Sequence, residues 1–166
     1  ALLGTVVGGY KVLERVGRGG MGTVYKAEQL SLKRIVALKV ISEEHTKDKT
    51  FVELFLREAR AAAQLNHPNI VQVYDAKGAE GTYYYSMEFV PHGSVQDVLS
   101  AETKLPPERA VKMALQAARG LEYAERKAIV HRDIKPDNLM IGELEVIKIA
   151  DLGLAQSLKE ASKLDE

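Results

Sequence analysis

Six residues, Gly17-Arg18-Gly19-Gly20-Met21-Gly22, place four glycines between two segments that read as strands. Tyr10 to Val16 alternates loosely before them, and Thr23-Val24-Tyr25-Lys26-Ala27 opens a run to Leu30 after them. Glycines let backbone N–H groups approach phosphate oxygens without a Cβ in the way. The glycine turn of a doubly wound dinucleotide fold is followed by a helix. Here a strand follows, so that fold is removed from the choices. A tight hairpin with no ligand explains the glycines equally well when they are taken alone; the surrounding residues decide.

The pattern beyond them is mixed. Arg34 to Ile41 is β-branched and apolar and makes a third strand, so the first forty residues form an antiparallel meander. Residues 50–65 change to a period near 3.6, with Thr50 and Glu53 as a capping box and Leu54, Ala61 and Leu65 on the apolar face. Asn66-His67-Pro68-Asn69 ends that helix, because the residue before proline resists the helical region. Ile70 to Lys77 and Thr82 to Phe89 read as two strands around a Gly78-Ala79-Glu80-Gly81 turn, with Tyr83-Tyr84-Tyr85 as alternating strand residues. Pro91-His92-Gly93 breaks the pattern. A short helix follows near residues 94–101, then a longer one from Pro107 to about Arg126, where Val111, Ala114, Leu115, Ala118 and Leu121 recur at helical spacing. Leu139 to Ile141 and Val146 to Ile149 read as short strands closed by Asp151-Leu152-Gly153. The fold class is α+β. Residues 1–9 form a leading extension, 10–90 a β-rich lobe of five antiparallel strands and one helix, and 91–166 a helical lobe.

Composition narrows the function classes. The 166 residues are 46% hydrophobic and 28% charged, as in a globular protein with a real core. Twenty-three basic residues balance twenty-three acidic ones, which argues against a general nucleic-acid or membrane-surface binder. The absence of cysteine excludes disulfides and thiolate zinc sites and suits a reducing cytosol, so a cytoplasmic location is expected. No apolar run approaches the roughly 20 residues that span a bilayer. Ala1 to Val7 is too short for a signal peptide and has no basic residues before it. An opening Ala rather than Met fits either processing or an internal piece of a longer chain.

The residues that carry chemistry are concentrated in His131-Arg132-Asp133-Ile134-Lys135-Pro136-Asp137-Asn138. A carboxylate, a cation and an amide stand at fixed offsets. Phosphoryl transfer uses all three: Asp133 to orient a hydroxyl, Lys135 to neutralise a migrating phosphate, and Asn138 to hold a metal ion. Asp151, eighteen residues after Asp133, adds a charged oxygen, and oxygen ligands around phosphates suit magnesium. Lys39 lies inside Ile35-Val36-Ala37-Leu38-Lys39-Val40. It is either an outward-facing lysine on a half-exposed strand or a cation for nucleotide phosphates, which needs a carboxylate to hold it. Glu53 and Glu58 are the candidates on the following helix. With no cysteine partners for His45, His67 or His92, a histidine metal site is not expected.

From Tyr10 to Gly153 the sequence resembles a protein kinase of the bacterial serine/threonine type. Gly-Arg-Gly-Gly-Met-Gly-Thr-Val-Tyr and Leu-Asn-His-Pro-Asn-Ile-Val are phrases of that family, and Lys135 two residues after Asp133 is similar to its serine/threonine branch. The resemblance implies ATP and Mg2+ as cofactors and a protein carrying serine or threonine as substrate. It implies that Gly17, Gly19, Gly20 and Gly22 cover the phosphates, that Glu58 pairs Lys39, and that Asn138 and Asp151 hold magnesium. It makes Met87 the gatekeeper, the backbones of Glu88 and Val90 the adenine partners, and Val16, Val24, Ala37 and Met140 the apolar walls around the ring. His131 is then a packing and hydrogen-bonding residue, not an acid or base.

The sequence departs from the family in two places. Asp-Leu-Gly replaces Asp-Phe-Gly, a mild change. The chain ends thirteen residues after Gly153, before the family's Ala-Pro-Glu anchor and later helices, so Arg132 has no convincing phosphorylated partner, and Ser157 and Ser162 are not assigned as phosphosites. The helix at 107–126 is expected to expose apolar surface. At roughly 25 cal/mol per Å², a few hundred Å² left wet forfeits several kcal/mol. The expectation is therefore a fragment of a longer kinase, or a truncated relative completed by the remainder of the kinase or a dimer partner. The rival readings are a nucleotide- or partner-binding module without transfer and a small-molecule kinase. The Lys135-Pro136 pair and the glycine loop speak against the second.

Overall fold

The computed structural model describes residues 2–18, 22–79, 81–131 and 133–151. Gly19, Gly20, Met21, Arg132, Leu152, Gly153, Ser157 and Ser162 lie outside the described residues. The described residues divide into two units, one of 2–63 and 73–89, the other of 64–72 and 90–151. Segment 64–72 thus joins the second unit although the first continues after it.

The first unit is a six-stranded antiparallel sheet in the order β1-β2-β3-β4-β6-β5. Its strands are β1 (Val6–Val7), β2 (Tyr10–Arg18), β3 (Gly22–Gln29), β4 (Arg34–Ile41), β5 (Val73–Ala79) and β6 (Thr82–Glu88). The two-residue β1 is one strand more than the pattern predicts, and α1 (Glu43–Thr46) is one extra helical turn. One face buries Tyr10, Val12, Tyr25, Ala27, Val36, Leu38, Val40 and Tyr84 together. The other face receives α2 (Lys49–Ala63), whose Phe55 ring lies 5.2 Å from that of Tyr85. Tyr84 and Tyr85 are both fully buried because β6 is covered on both faces. Bulges between Val12 and Glu14 and between Arg15 and Gly17 curl β2.

Two local expectations are corrected. The cap of α2 is Asp48, not Thr50: its Oδ1 accepts from Phe51 N at 3.2 Å and its carbonyl from Val52 N at 3.1 Å. Asp precedes Thr and takes the position first, so Thr50 lies inside the helix. The strand expected from Ile70 starts at Val73, because Ile70 is drawn into a parallel bridge with Ile149.

The second unit is built on α3 (Val95–Glu102), α4 (Pro107–Arg126) and a hairpin of β7 (Leu139–Ile141) with β8 (Ile147–Ile149). A reciprocal capping box of Ser94 and Asp97 starts α3, and Pro107 opens α4, where its missing N–H costs nothing. Val95, Met113, Ile141 and Ile147 form one core cluster; Leu65, Ile70, Ala124 and Ile149 form the other. Gly120 lets α4 come close: a Cβ there would stand 2.8 Å from Asn69 O and 2.9 Å from Ile149 Cδ1. On the outer side of α4, Val111 is 65% and Leu115 49% exposed.

Candidate active site

In the first unit the register builds a row. Gly17 opposes Val24, Val24 opposes Lys39, and Lys39 opposes Tyr85. Cross-strand partners share a face, so these side chains stand on the face that carries α2. Ala37 opposes Lys26 on one side and Met87 on the other, adding an adjacent row on the same face. Val16 is the extra residue of the second bulge and is half-exposed. Gly22 is forced by close approach, since a Cβ there would collide with the Val40 carbonyl. Glu88 opposes Val36 at the end of β6.

Lys39 is 8% exposed, which removes the outward-facing reading. Its Nζ lies 5.9 Å from the Tyr85 ring centroid, and Tyr85 in turn packs on Phe55 of α2. Glu58 borders the buried stripe of that helix, three residues after Phe55 and four before Ala62. Its carboxylate is one-fifth exposed and lies 3.9 Å from Arg57 Nη2. Glu53 is exposed on the same helix.

In the second unit the loop 131–138 is stapled by its own side chains. His131 is buried. Its Nδ1 accepts from Asp133 N at 3.1 Å, so Nε2 carries the proton and donates to Ala150 O at 2.8 Å. Asn138 Nδ2 donates to Asp133 O at 2.9 Å. Both backbone groups of Asp133 are thereby held by flanking side chains, and its carboxylate is half-exposed. Lys135 Nζ stands 3.5 Å from Asp133 Oδ2.

Ala150 links this loop to Asp151. Its N–H donates to Asn138 O at 2.9 Å while its carbonyl receives His131. Asn138 and Asp151 therefore flank the same end of the β7–β8 hairpin. Asp151 has φ 58, a left-handed conformation that Asp tolerates better than most residues and that gathers at functional sites. Among the described residues no three His, Asp or Glu side chains form a metal cage. Two oxygen ligands fit magnesium, which keeps waters and phosphate oxygens in its shell.

Val90 and Met140 also belong to this unit. Residues 92–94 run along β7: His92 N donates to Ile141 O, Ile141 N to Gly93 O, and Ser94 bridges Met140. Val90 is buried, and its Cγ1 lies 3.9 Å from where a Cβ on Gly142 would be. Met140 opposes Lys148, on the hairpin face opposite Leu139 and Ile141.

The model of the protein kinase domain matches residues 10–166. The chain belongs to the protein kinase family. The chain is 37% identical to the serine/threonine-protein kinase PrkC of Bacillus subtilis over 157 residues, covering 95% of this chain and 24% of that protein. It is 41% identical to PknJ of Mycobacterium tuberculosis over 159 residues, covering 93% of this chain and 27% of that protein. The chain thus spans about a quarter of the length of these relatives. A crystal structure of the Mycobacterium tuberculosis PknI kinase domain superposes with a TM-score of 0.77 at 29% identity, covering 91% of this chain and 62% of that one. The kinase-like α+β fold expected from the sequence is the fold observed. Among the described residues no helix is long and apolar enough to cross a membrane.

Two residues that hold the start of β8 escaped the sequence reading, Asn69 and Gln116. Asn69 is buried, and Gln116 sits in the apolar run Ala114-Leu115-Gln116-Ala117-Ala118. An amide inside such a run was the available signal, because a polar group there needs partners.

Proposed function

We propose that this chain is the nucleotide-binding and catalytic-loop half of a serine/threonine protein kinase, with residues 10–90 as its smaller lobe and 91–166 as part of its larger one. The observation that carries this is the half-exposed Asp133 carboxylate, on a residue held by bonds to both its backbone groups, with Lys135 3.5 Å away and Asn138 on the same staple. ATP with Mg2+ supplies the transferable γ-phosphoryl group. Lys39, directed by Glu58, takes the α- and β-phosphates under the backbone of the glycine loop. Asn138 and Asp151 hold the ion, and Val16, Val24, Ala37, Met87, Val90 and Met140 close around the base. Asp133 orients a serine or threonine hydroxyl and receives its proton as the phosphorus–oxygen bond to ADP breaks and the bond to the hydroxyl forms. Lys135 screens the charge on the migrating group. Positioning contributes more than basicity here.

Asp133→Asn tests this. Phosphate transfer to a serine- or threonine-containing protein is expected to fall by about 10²- to 10⁴-fold, the contribution of a positioned base, while nucleotide binding survives. Retained turnover would remove Asp133 from its role. A nucleotide- or partner-binding module is the second reading, favoured by the exposed Val111 and Leu115 of α4. It requires nucleotide affinity with no autophosphorylation by the 166-residue chain.

A further inference from the structure

The strand that delivers Asp151 is only three residues long, and a strand of that length has little stability of its own. Its inner edge pairs with β7. Its outer edge is completed in two different ways. Ile149 N donates to Asn69 O at 2.9 Å and Val71 N to Ile149 O at 2.9 Å, a backbone ladder. Two residues earlier Asn69 N is turned to His67 Nδ1 and His67 O receives Ile70 N, and side chains take over the strand edge. Ile147 N donates to Gln116 Oε1 at 2.9 Å, and Asn69 Nδ2 donates to Ile147 O at 2.9 Å. The two amides also bond each other, Asn69 Nδ2 to Gln116 Oε1 at 3.2 Å, and Gln116 Nε2 donates to Glu145 O at 3.2 Å. Both ends of the Gln116 amide are used, so its orientation is fixed by its partners.

We propose that Gln116 is a positioning residue for the metal-holding pair Asn138 and Asp151, acting through β8. The inference rests on the metal assignment of the proposed function. The amide is anchored on a 20-residue helix and fixes the start of β8, while the 69–71 ladder fixes its end. Ala150 then carries that register to Asn138 through its N–H and leaves Asp151 beside it. Removing the acceptor leaves Ile147 N–H and the Asn69 amide short of a partner and frees the beginning of the strand to shift. Residues that orient metal ligands without touching the ion typically cost about 10- to 100-fold in metal affinity when replaced.

The test measures ATP affinity of the chain with and without Mg2+, alongside thermal melting, for the parent, Gln116→Leu, Gln116→Glu and Arg109→Ala. The carboxylate of Gln116→Glu keeps the acceptor for Ile147 N and Asn69 Nδ2, loses the donor to Glu145 O and sets an oxygen against that carbonyl. Arg109→Ala removes the ion pairs to Glu102 and Glu145 without touching the edge of β8. Gln116→Leu is expected to lose about 10-fold or more of the Mg2+-dependent gain in affinity, with metal-free binding unchanged. Gln116→Glu is expected to keep most of the gain, and Arg109→Ala to melt earlier while keeping all of it. An undiminished gain in Gln116→Leu overturns the proposal, as does an equal loss in Arg109→Ala. If Gln116→Leu does not fold, Gln116→Asn, whose amide is one methylene short of Ile147 N, decides in its place: a lost gain supports the role and an undiminished one overturns it. A parent chain with nucleotide affinity but no response to Mg2+ overturns the metal assignment itself and this role with it.

Discussion

His131 hydrogen-bonds only backbone groups, the N–H of Asp133 and the carbonyl of Ala150, and these flank the candidate site. Replacing it with Leu leaves the Ala150 carbonyl and the Asp133 N–H without their bonds. A loss of about 1–3 kcal/mol in stability is expected by urea unfolding, with turnover falling further than nucleotide affinity. Tyr84 gives a second prediction. Burial, reinforced by Tyr10 and Asp75, pushes its phenol from 10.0 to about 12. The unfolded chain therefore ionises first, and the stability from the neutral phenol is lost as pH rises from about 10 through about 12. Tyr84→Phe should unfold with a weaker dependence on pH across that window, measured by urea midpoints. Placement was legible where spacing was tight: Asp133, Lys135 and Asn138 fall together in one loop. Lys39 was legible only as a choice, because a single lysine in a strand does not show which face it takes. Val24 and Tyr85 settle its face by register, and neither is near it in sequence.

Elements read well where the period was long. β2, β3, β4, β6 and α4 start within a residue or so of the expected places. The Asp48 cap was missed to a local competitor, whereas the other error comes from a contact distant in sequence. Ile70 has the composition of a strand residue, but Ile149 captures it, and β5 begins three residues later. Gly120 shows the same conflict in energetic terms. Inside a free helix, Gly→Ala gains up to about 1 kcal/mol. Here the added carbon meets a backbone oxygen at 2.8 Å that cannot rotate away. Gly120→Ala is therefore expected to reverse the sign and lower stability by about 1–3 kcal/mol, the range for overpacking, as read from the thermal midpoint. Ser94→Ala should cost about 1 kcal/mol by the same measurement, through loss of the box that starts α3.

At the scale of the molecule, the residues assigned to one reaction are divided between two units: Lys39 and Glu58 in the first, Asp133, Asn138 and Asp151 in the second. A ligand that binds only the folded chain raises stability by about 2.7 kcal/mol at one hundred times its Kd. ATP with Mg2+ is therefore expected to raise the melting temperature, and both Lys39→Met and Asp151→Asn to shrink that rise. An undiminished rise in either variant removes that residue from the nucleotide site. The capped edge of β8 has one more effect. A bare strand margin invites another polypeptide to add itself, which is how many proteins clump. Asn69 and Gln116 occupy that margin with groups that end the ladder and cannot extend it, so the hairpin bearing Asp151 offers no template to a neighbouring molecule.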